Sequence, residues 1–161
     1  MALRQVLTIG VIGFTAESFC AALTEHEVDV VCDVRARRGV RGREYTFANA
    51  RRLEPMIAGL GIRYEHFPEL SPSEEMRAAQ VAADAASGIA MRQRTALSPE
   101  FVDGYREVLT TREAKDALQR ISEIAVAPAL LCVERLPGAC HRSLAAQALA
   151  GAAVPVVDIV A

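Results

Sequence analysis

The chain contains no apolar run near the ~20 residues of a membrane span. Its opening residues, Met1-Ala2-Leu3-Arg4-Gln5, lack the charged and apolar regions of a signal peptide. No membrane association is expected, and a cytoplasmic location is. Paired cysteine spacing is missing too: Cys20, Cys32, Cys132 and Cys140 form no short knuckle, and three lie near apolar stretches. Reduced thiols fit this pattern better than a disulfide framework. Lysine is nearly absent, with Lys115 the one example among 18 basic residues. Such a bias can reflect codon usage, so arginine abundance by itself assigns no function. A net charge of −2 excludes a globally basic nucleic-acid binder, and 24% charged residues at that balance excludes a disordered tail. Any attraction for phosphate must be local.

What is present suits one folded unit. A chain of 161 residues with 52% hydrophobic content can bury a sizeable core without a disulfide or metal staple. We read residues 1–161 as a single α/β domain.

Val6–Gly10 is a short β-branched and apolar run, followed by a turn and by Thr15 as cap of a helix over Ala16–Glu25. The nearly continuous apolar run Val28–Val34 suits a strand covered on both faces. Arg37–Glu44 reads as a loop, Phe47–Leu60 as a helix and Ile62–Phe67 as a third strand. Ser71-Pro72-Ser73-Glu74, Ser98-Pro99-Glu100 and Thr110 with Glu113 are three helix starts, over Glu74–Ala86, Pro99–Leu109 and a third helix to Ala125. A fourth strand over Ala129–Glu134, a helix over His141–Ala150 and a fifth strand over Val154–Val160 complete the chain. Alternating strands and helices imply a three-layer fold: a mostly parallel five-stranded sheet, helices on both faces, and a helical insertion before the fourth strand.

Ligands of open α/β sheets bind outside the carboxyl ends of the strands. The polar residues there are Asp33, Arg35, Tyr64, His66, Cys132 and Glu134, with Cys140-His141-Arg142-Ser143 opening the next helix. Free amides at a helix start bind anions, and Arg142 would add a bidentate clamp. The same field favours a thiolate, so Cys140 is a candidate nucleophile with His141 or Glu134 as proton carrier. The alternative is a small apolar cysteine tucked under a turn. Cys132, Glu134, Cys140 and His141 are also metal-ligand types, although adjacent Cys140 and His141 rarely face one tetrahedral ion. Cys20, Cys32 and Cys132 read as core packing.

Asp33 and Arg35 read as an ion pair in preference to an acid–base group, because nearby arginines lower a carboxyl pKa. His66 either packs structurally or faces the crevice beside Asp33. Arg35–Arg52 holds seven arginines against Glu44, a local charge of +6 that leaves −8 for the remainder. With Tyr45 and Phe47 this loop suits a phosphate backbone and stacked bases, or else a solvated surface. Gly10-x-x-Gly13 lacks the third glycine of a dinucleotide fingerprint.

Thr8-Ile9-Gly10, Phe19 and Leu23, Asp33-Val34-Arg35, Leu60–Tyr64, His66–Leu70, Leu131–Glu134 and Cys140–Ser143 occur in one order. In these motifs the chain resembles the domain of unknown function 488 family, over residues 6 to 159. It departs at Val11, at Ser71-Pro72 and at Asp158. The resemblance implies an α/β fold and a shared site around Asp33, Arg35, Cys132, Glu134, Cys140, His141 and Arg142, without a defined reaction. A more remote similarity, to rhodanese-like and cysteine-phosphatase domains, is weakened by the nine residues between Cys132 and Arg142.

The expectation is an enzyme without a cofactor. Its crevice would bind a phosphorylated or otherwise anionic small molecule through Asp33, Arg35, His66, Arg142 and Ser143, with chemistry at Cys140, His141 and Glu134. A nucleic-acid-binding or regulatory module using residues 35–52 and a metal-binding domain are the alternatives. A homodimer is compatible with apolar surface on the alanine-rich helices.

Overall fold

The computed structural model describes residues 2–90 and 92–161, and Met1 and Met91 lie outside it. The strands β1 (Val6–Gly10), β2 (Val30–Asp33), β3 (Arg63–His66), β4 (Pro128–Cys132) and β5 (Val156–Ile159) form one sheet in the order β3-β2-β4-β1-β5. Every pairing is parallel. Every residue of β1, β2 and β4 is buried, which is why these segments are continuous apolar runs. The helices are α1 (Ala16–Glu25), α2 (Ala50–Ala58), α3 (Glu74–Ala86), α4 (Pro99–Thr110), α5 (Arg112–Ile124) and α6 (Arg142–Ala150). No helix among the described residues is long and apolar enough to cross a membrane.

Side chains alternate along a strand, so the sheet divides the apolar residues into two cores. Leu7, Ile9, Val31 and Leu131 pack with Phe19 and Leu23 of α1 and Leu53 and Ile57 of α2. Val6, Val30, Leu130 and Cys132 pack with Phe101 and Tyr105 of α4, Ile121 of α5 and Ala145 of α6. Each fully buried side chain of this size contributes about 1.5–3 kcal/mol.

Some boundaries differ from the sequence reading, for visible reasons. β2 begins at Val30, because the Asp29 carboxylate accepts from the amides of Val126 and Ala127 at 2.7 and 2.9 Å and fixes the preceding turn. The expected helix 47–60 is broken at Asn49, whose backbone is extended. Its side chain accepts from Val40 N–H at 2.8 Å, leaving a 3-10 turn over Arg43–Ala48 ahead of α2. Thr111, not Thr110, caps α5 by accepting from Ala114 N–H. Asp158 of β5 accepts from the hydroxyl of its neighbour Thr8 at 2.6 Å.

Topology places the crevice. From β2 the chain moves outward to β3, whereas from the neighbouring β4 it moves the opposite way, past β1, to reach β5. Neighbouring strands whose connections diverge leave a gap at their carboxyl ends. There Gly10 packs directly on the chain leaving β4: a Cβ would lie 1.8 Å from the Glu134 carbonyl oxygen and 3.1 Å from Arg142 Nη1. Gly10→Ala is therefore expected to lower stability by about 3 kcal/mol or more, because the obstacle is backbone. Urea denaturation that shows a loss under about 1 kcal/mol contradicts this packing.

Candidate functional site

A cavity of about 700 Å³ opens where β2 and β4 end. Cys132, Glu134, Ala139, Cys140 and His141 line one side, and Arg35, Ala36 and Arg37 another. Arg77, Gln80, Val81 and Asp84 of α3 close it together with Ile89, Arg92, Arg94 and Leu97 of the loop that follows. The helical insertion thus supplies a whole wall.

The chemistry concentrates at the end of β4. Cys140 and His141 are 3% and 6% exposed, and Cys132 is 8% exposed. His141 Nδ1 lies 3.7 Å from Cys140 Sγ and 3.9 Å from Cys132 Sγ. Its Nε2 is 3.0 Å from the Val34 carbonyl oxygen. A carbonyl only accepts, so Nε2 carries a proton, and in the neutral ring Nδ1 turns its lone pair to the sulfurs. Burial alone pushes the Cys140 thiol up, but the bond from Cys132, the neighbouring His141 and the Arg142 charge together hold it well below the ordinary range. Cys132 moves the other way, pushed up by its bond to Cys140 and by burial. Cys132 packs in the core, as the sequence suggested, and also lines the crevice.

Glu134 faces the same space. Burial pushes its carboxyl up, and Arg94 opposes this. Arg94 Nη2 lies 3.6 Å from the Glu134 carboxylate, Nη1 donates to Asp84 at 2.8 Å, and Nε donates to the Ala139 carbonyl at 3.1 Å. Gln80 donates to Asp84 at 2.9 Å and accepts from Ser98 N–H at 2.9 Å. This network ties the insertion to the Cys140 turn.

Asp33 and Arg35 form a buried pair. Arg35 Nε and Nη2 donate to the two carboxylate oxygens at 2.8 and 2.7 Å, and Nη1 donates to the Ala48 carbonyl at 3.0 Å. Tyr64 O–H donates to Asp33 at 2.5 Å. Arg35 touches the cavity with its guanidinium already engaged, and Asp33 is fully buried beneath it. Asp33 thus holds the strand end from beneath, and Arg35 presents an already bonded guanidinium to the crevice. His66 donates from Nε2 to the Arg35 carbonyl at 2.6 Å and lines a separate groove with Glu65, Glu113 and Arg120. It does not enter the crevice.

The anion clamp expected at the helix start is likewise corrected. Arg142 is fully buried, donating from Nη1 to the Glu134 carbonyl at 2.6 Å and from Nη2 to the Arg135 carbonyl at 3.1 Å. Ser143 donates its hydroxyl to the Cys140 carbonyl at 3.0 Å. Neither side chain lines the cavity. The amides of Ala139 and Cys140 are already paired with the carbonyls of Leu136 and Pro137. In the basic loop, Phe47 is 7% exposed and packs against Phe19 with ring centres 5.5 Å apart, so it offers no stacking platform. Arg37 and Arg38 pair with Glu74 and Glu54, each at 2.8 Å.

A family model described as Domain of unknown function DUF488 matches residues 15–149. The chain belongs to that family. No curated protein and no solved structure matches it. The match begins after β1, so Thr8-Ile9-Gly10 lies outside it, whereas α3 and the whole Cys132–His141 cluster of this DUF488 chain lie within. Sequence reasoning missed Arg77, Arg92 and Arg94. The one signal was a pair of arginines, Arg92 and Arg94, directly after an alanine-rich helix.

Removing one member of a buried ion pair costs about 3–5 kcal/mol, because the other charge is left alone. Asp33→Ala is expected to lose that much stability in urea, and Asp33→Ala with Arg35→Met distinctly less. Equal losses in both variants contradict the pair. Tyr64 is pushed up to about 12, first by burial and then by the Asp33 carboxylate. A raised pKa stabilises the protein below the ordinary value of 10.0, and this contribution fades as pH rises through the folded value. The phenolate absorbance lost on Tyr64→Phe should therefore appear near pH 12. A step at pH 10 speaks against the bond.

Proposed function

We propose that the chain is an enzyme that takes an anionic, phosphate- or sulfate-like small molecule into this crevice and acts on it through the Cys140 sulfur. The observation that carries this is the meeting of a nucleophile with basic walls: Cys140 and Glu134 line a cavity that five arginines reach against three acids. Arg77 and Arg92 are the two that make no ion pair with an acid among the described residues, Arg92 being held by the Arg41 carbonyl at 2.7 Å and by the Tyr45 ring. They take the role first given to Arg142. In the reaction, Cys140 sulfur forms a bond to the electrophilic centre of the substrate, and the leaving group departs with a proton delivered by Glu134. Water or a second acceptor then releases the group from sulfur, which distinguishes a hydrolase from a transferase. Free thiols at this position fit a reducing, cytoplasmic setting. Base stacking has lost Phe47, so the nucleic-acid reading is the weaker one.

Alkylation of metal-free protein tests the proposal, with labelled cysteines identified by peptide mass. Cys140 should react faster with the anionic reagent iodoacetate than with neutral iodoacetamide, relative to half-exposed Cys20. Inorganic phosphate should slow it. Arg77→Ala with Arg92→Ala should reduce the iodoacetate preference about tenfold, the effect of roughly 1.4 kcal/mol from two arginines. Failure of Cys140 to react, or indifference to reagent charge and to phosphate, overturns the proposal.

A further inference from the structure

The thiol reading uses one sulfur, but three buried ligand atoms meet at that point. Cys132 Sγ, Cys140 Sγ and His141 Nδ1 all lie within 4.8 Å of one another. With Zn–S near 2.3 Å and Zn–N near 2.0–2.1 Å, tetrahedral coordination places S and N about 3.5–3.6 Å apart. The observed 3.7 and 3.9 Å are within a few tenths of an ångström of that requirement. Closure on an ion would need only a small contraction.

Adjacent residues rarely serve one ion, and the backbone shows how these two do. Cys140 is extended, with φ −140° and ψ 146°, whereas His141 is helical, with φ −63° and ψ −21°. The change of conformation between them turns both side chains to the same point. The imidazole is also fixed from behind, because Nε2–H donates to the Val34 carbonyl at 3.0 Å. A metal-binding histidine is held in this manner: the second ring nitrogen donates to an oxygen, which sets the tautomer and the ring plane. The ligands come from the end of β4, the turn beyond it and the start of α6, and all three are at least nine-tenths buried.

We propose that Cys132, Cys140 and His141 bind a thiophilic divalent cation of the zinc class, leaving its fourth position open to the crevice. Two thiolates neutralise the cation, so the buried cluster gains no net charge. All three ligands and Glu134 line the cavity, so the open position faces the space assigned to the anionic substrate. Three protein ligands with one open position is the pattern of catalytic and not structural zinc. The site does not rest on the thiol reading, because the cation and an alkylating reagent compete for the same sulfur.

Protein stripped with a chelator and titrated with Co(II), then Zn(II), provides the test. About one equivalent of Co(II) should bind with an intense near-ultraviolet thiolate charge-transfer band and the strong visible absorption of tetrahedral cobalt, and Zn(II) should displace it. Cys132→Ser and His141→Gln should each weaken Zn(II) binding by more than the about tenfold cost of losing an outer-shell partner. Cys20→Ser should leave it unchanged. Wild-type protein that retains less than about one-tenth of an equivalent of Zn(II) overturns the site. So does bound cobalt without a thiolate band, and both results are independent of how the variants fold. Phosphate-sensitive alkylation of Cys140 without zinc uptake removes the cation site and leaves the thiol enzyme. Zinc uptake with an unreactive Cys140 in the stripped protein does the reverse.

Discussion

Arg142 is a fully buried cation whose ionised head lies against main-chain oxygen and not against a carboxylate. Taking such a group out of water costs several kcal/mol, and only well-placed partners recover it. The carbonyls of Glu134 and Arg135 provide them for the two terminal nitrogens, leaving Nε without a hydrogen-bond partner, and in doing so they fold the chain leaving β4 back over the start of α6. That return brings Cys140 and His141 to Cys132. It also requires Gly10, since the same carbonyl occupies the space of a side chain on β1. Arg142 bears on the crevice only indirectly, through this loop and through its field on the Cys140 sulfur.

The second requirement is the wall. A sheet end with diverging connections offers a shallow gap, and a small-molecule site needs concavity. The insertion provides it. Arg94 reaches Asp84 on α3, Glu134 beyond β4 and the carbonyl of Ala139 in the turn, so one guanidinium joins three segments. Leu97 N–H adds a bond to the Gly138 carbonyl at 3.2 Å. These contacts are polar and partly exposed. The two apolar cores hold the sheet, and this network holds the cavity to it.

The helices and strands were largely legible because their signals are local. Thr15 and Ser98 cap the helices that follow them, and β1 and α1 have the ends read from sequence, whereas the cap of α3 is Ser73 and not Ser71. Errors arose where a side chain inside the segment bonds main chain from elsewhere, as Asp29 does at β2 and Asn49 before α2. The site was legible in its chemistry and not in its geometry. Cys140, His141 and Glu134 do line one cavity with Arg35. Arg142 and Ser143, however, bond to carbonyl oxygens, which every residue carries and no sequence pattern marks. Arg77 and Arg92 were invisible for the opposite reason, since their role depends on how α3 and its loop lie across the sheet end.

His141 connects the two halves of this arrangement. One ring nitrogen donates to the carbonyl of Val34, the residue between Asp33 and Arg35, and the other faces the sulfurs of Cys132 and Cys140. The Asp33–Arg35 pair fixes the main chain on both sides of that carbonyl, through Arg35 N–H to Asp33 at 3.1 Å and through Tyr64 and Ala48 beyond. A shift of the pair would move the carbonyl, rotate the imidazole and change the direction of its lone pair. The buried ion pair at the end of β2 therefore bears on the geometry at the end of β4. It sets the orientation of the ring, whether that ring serves a thiol or a cation.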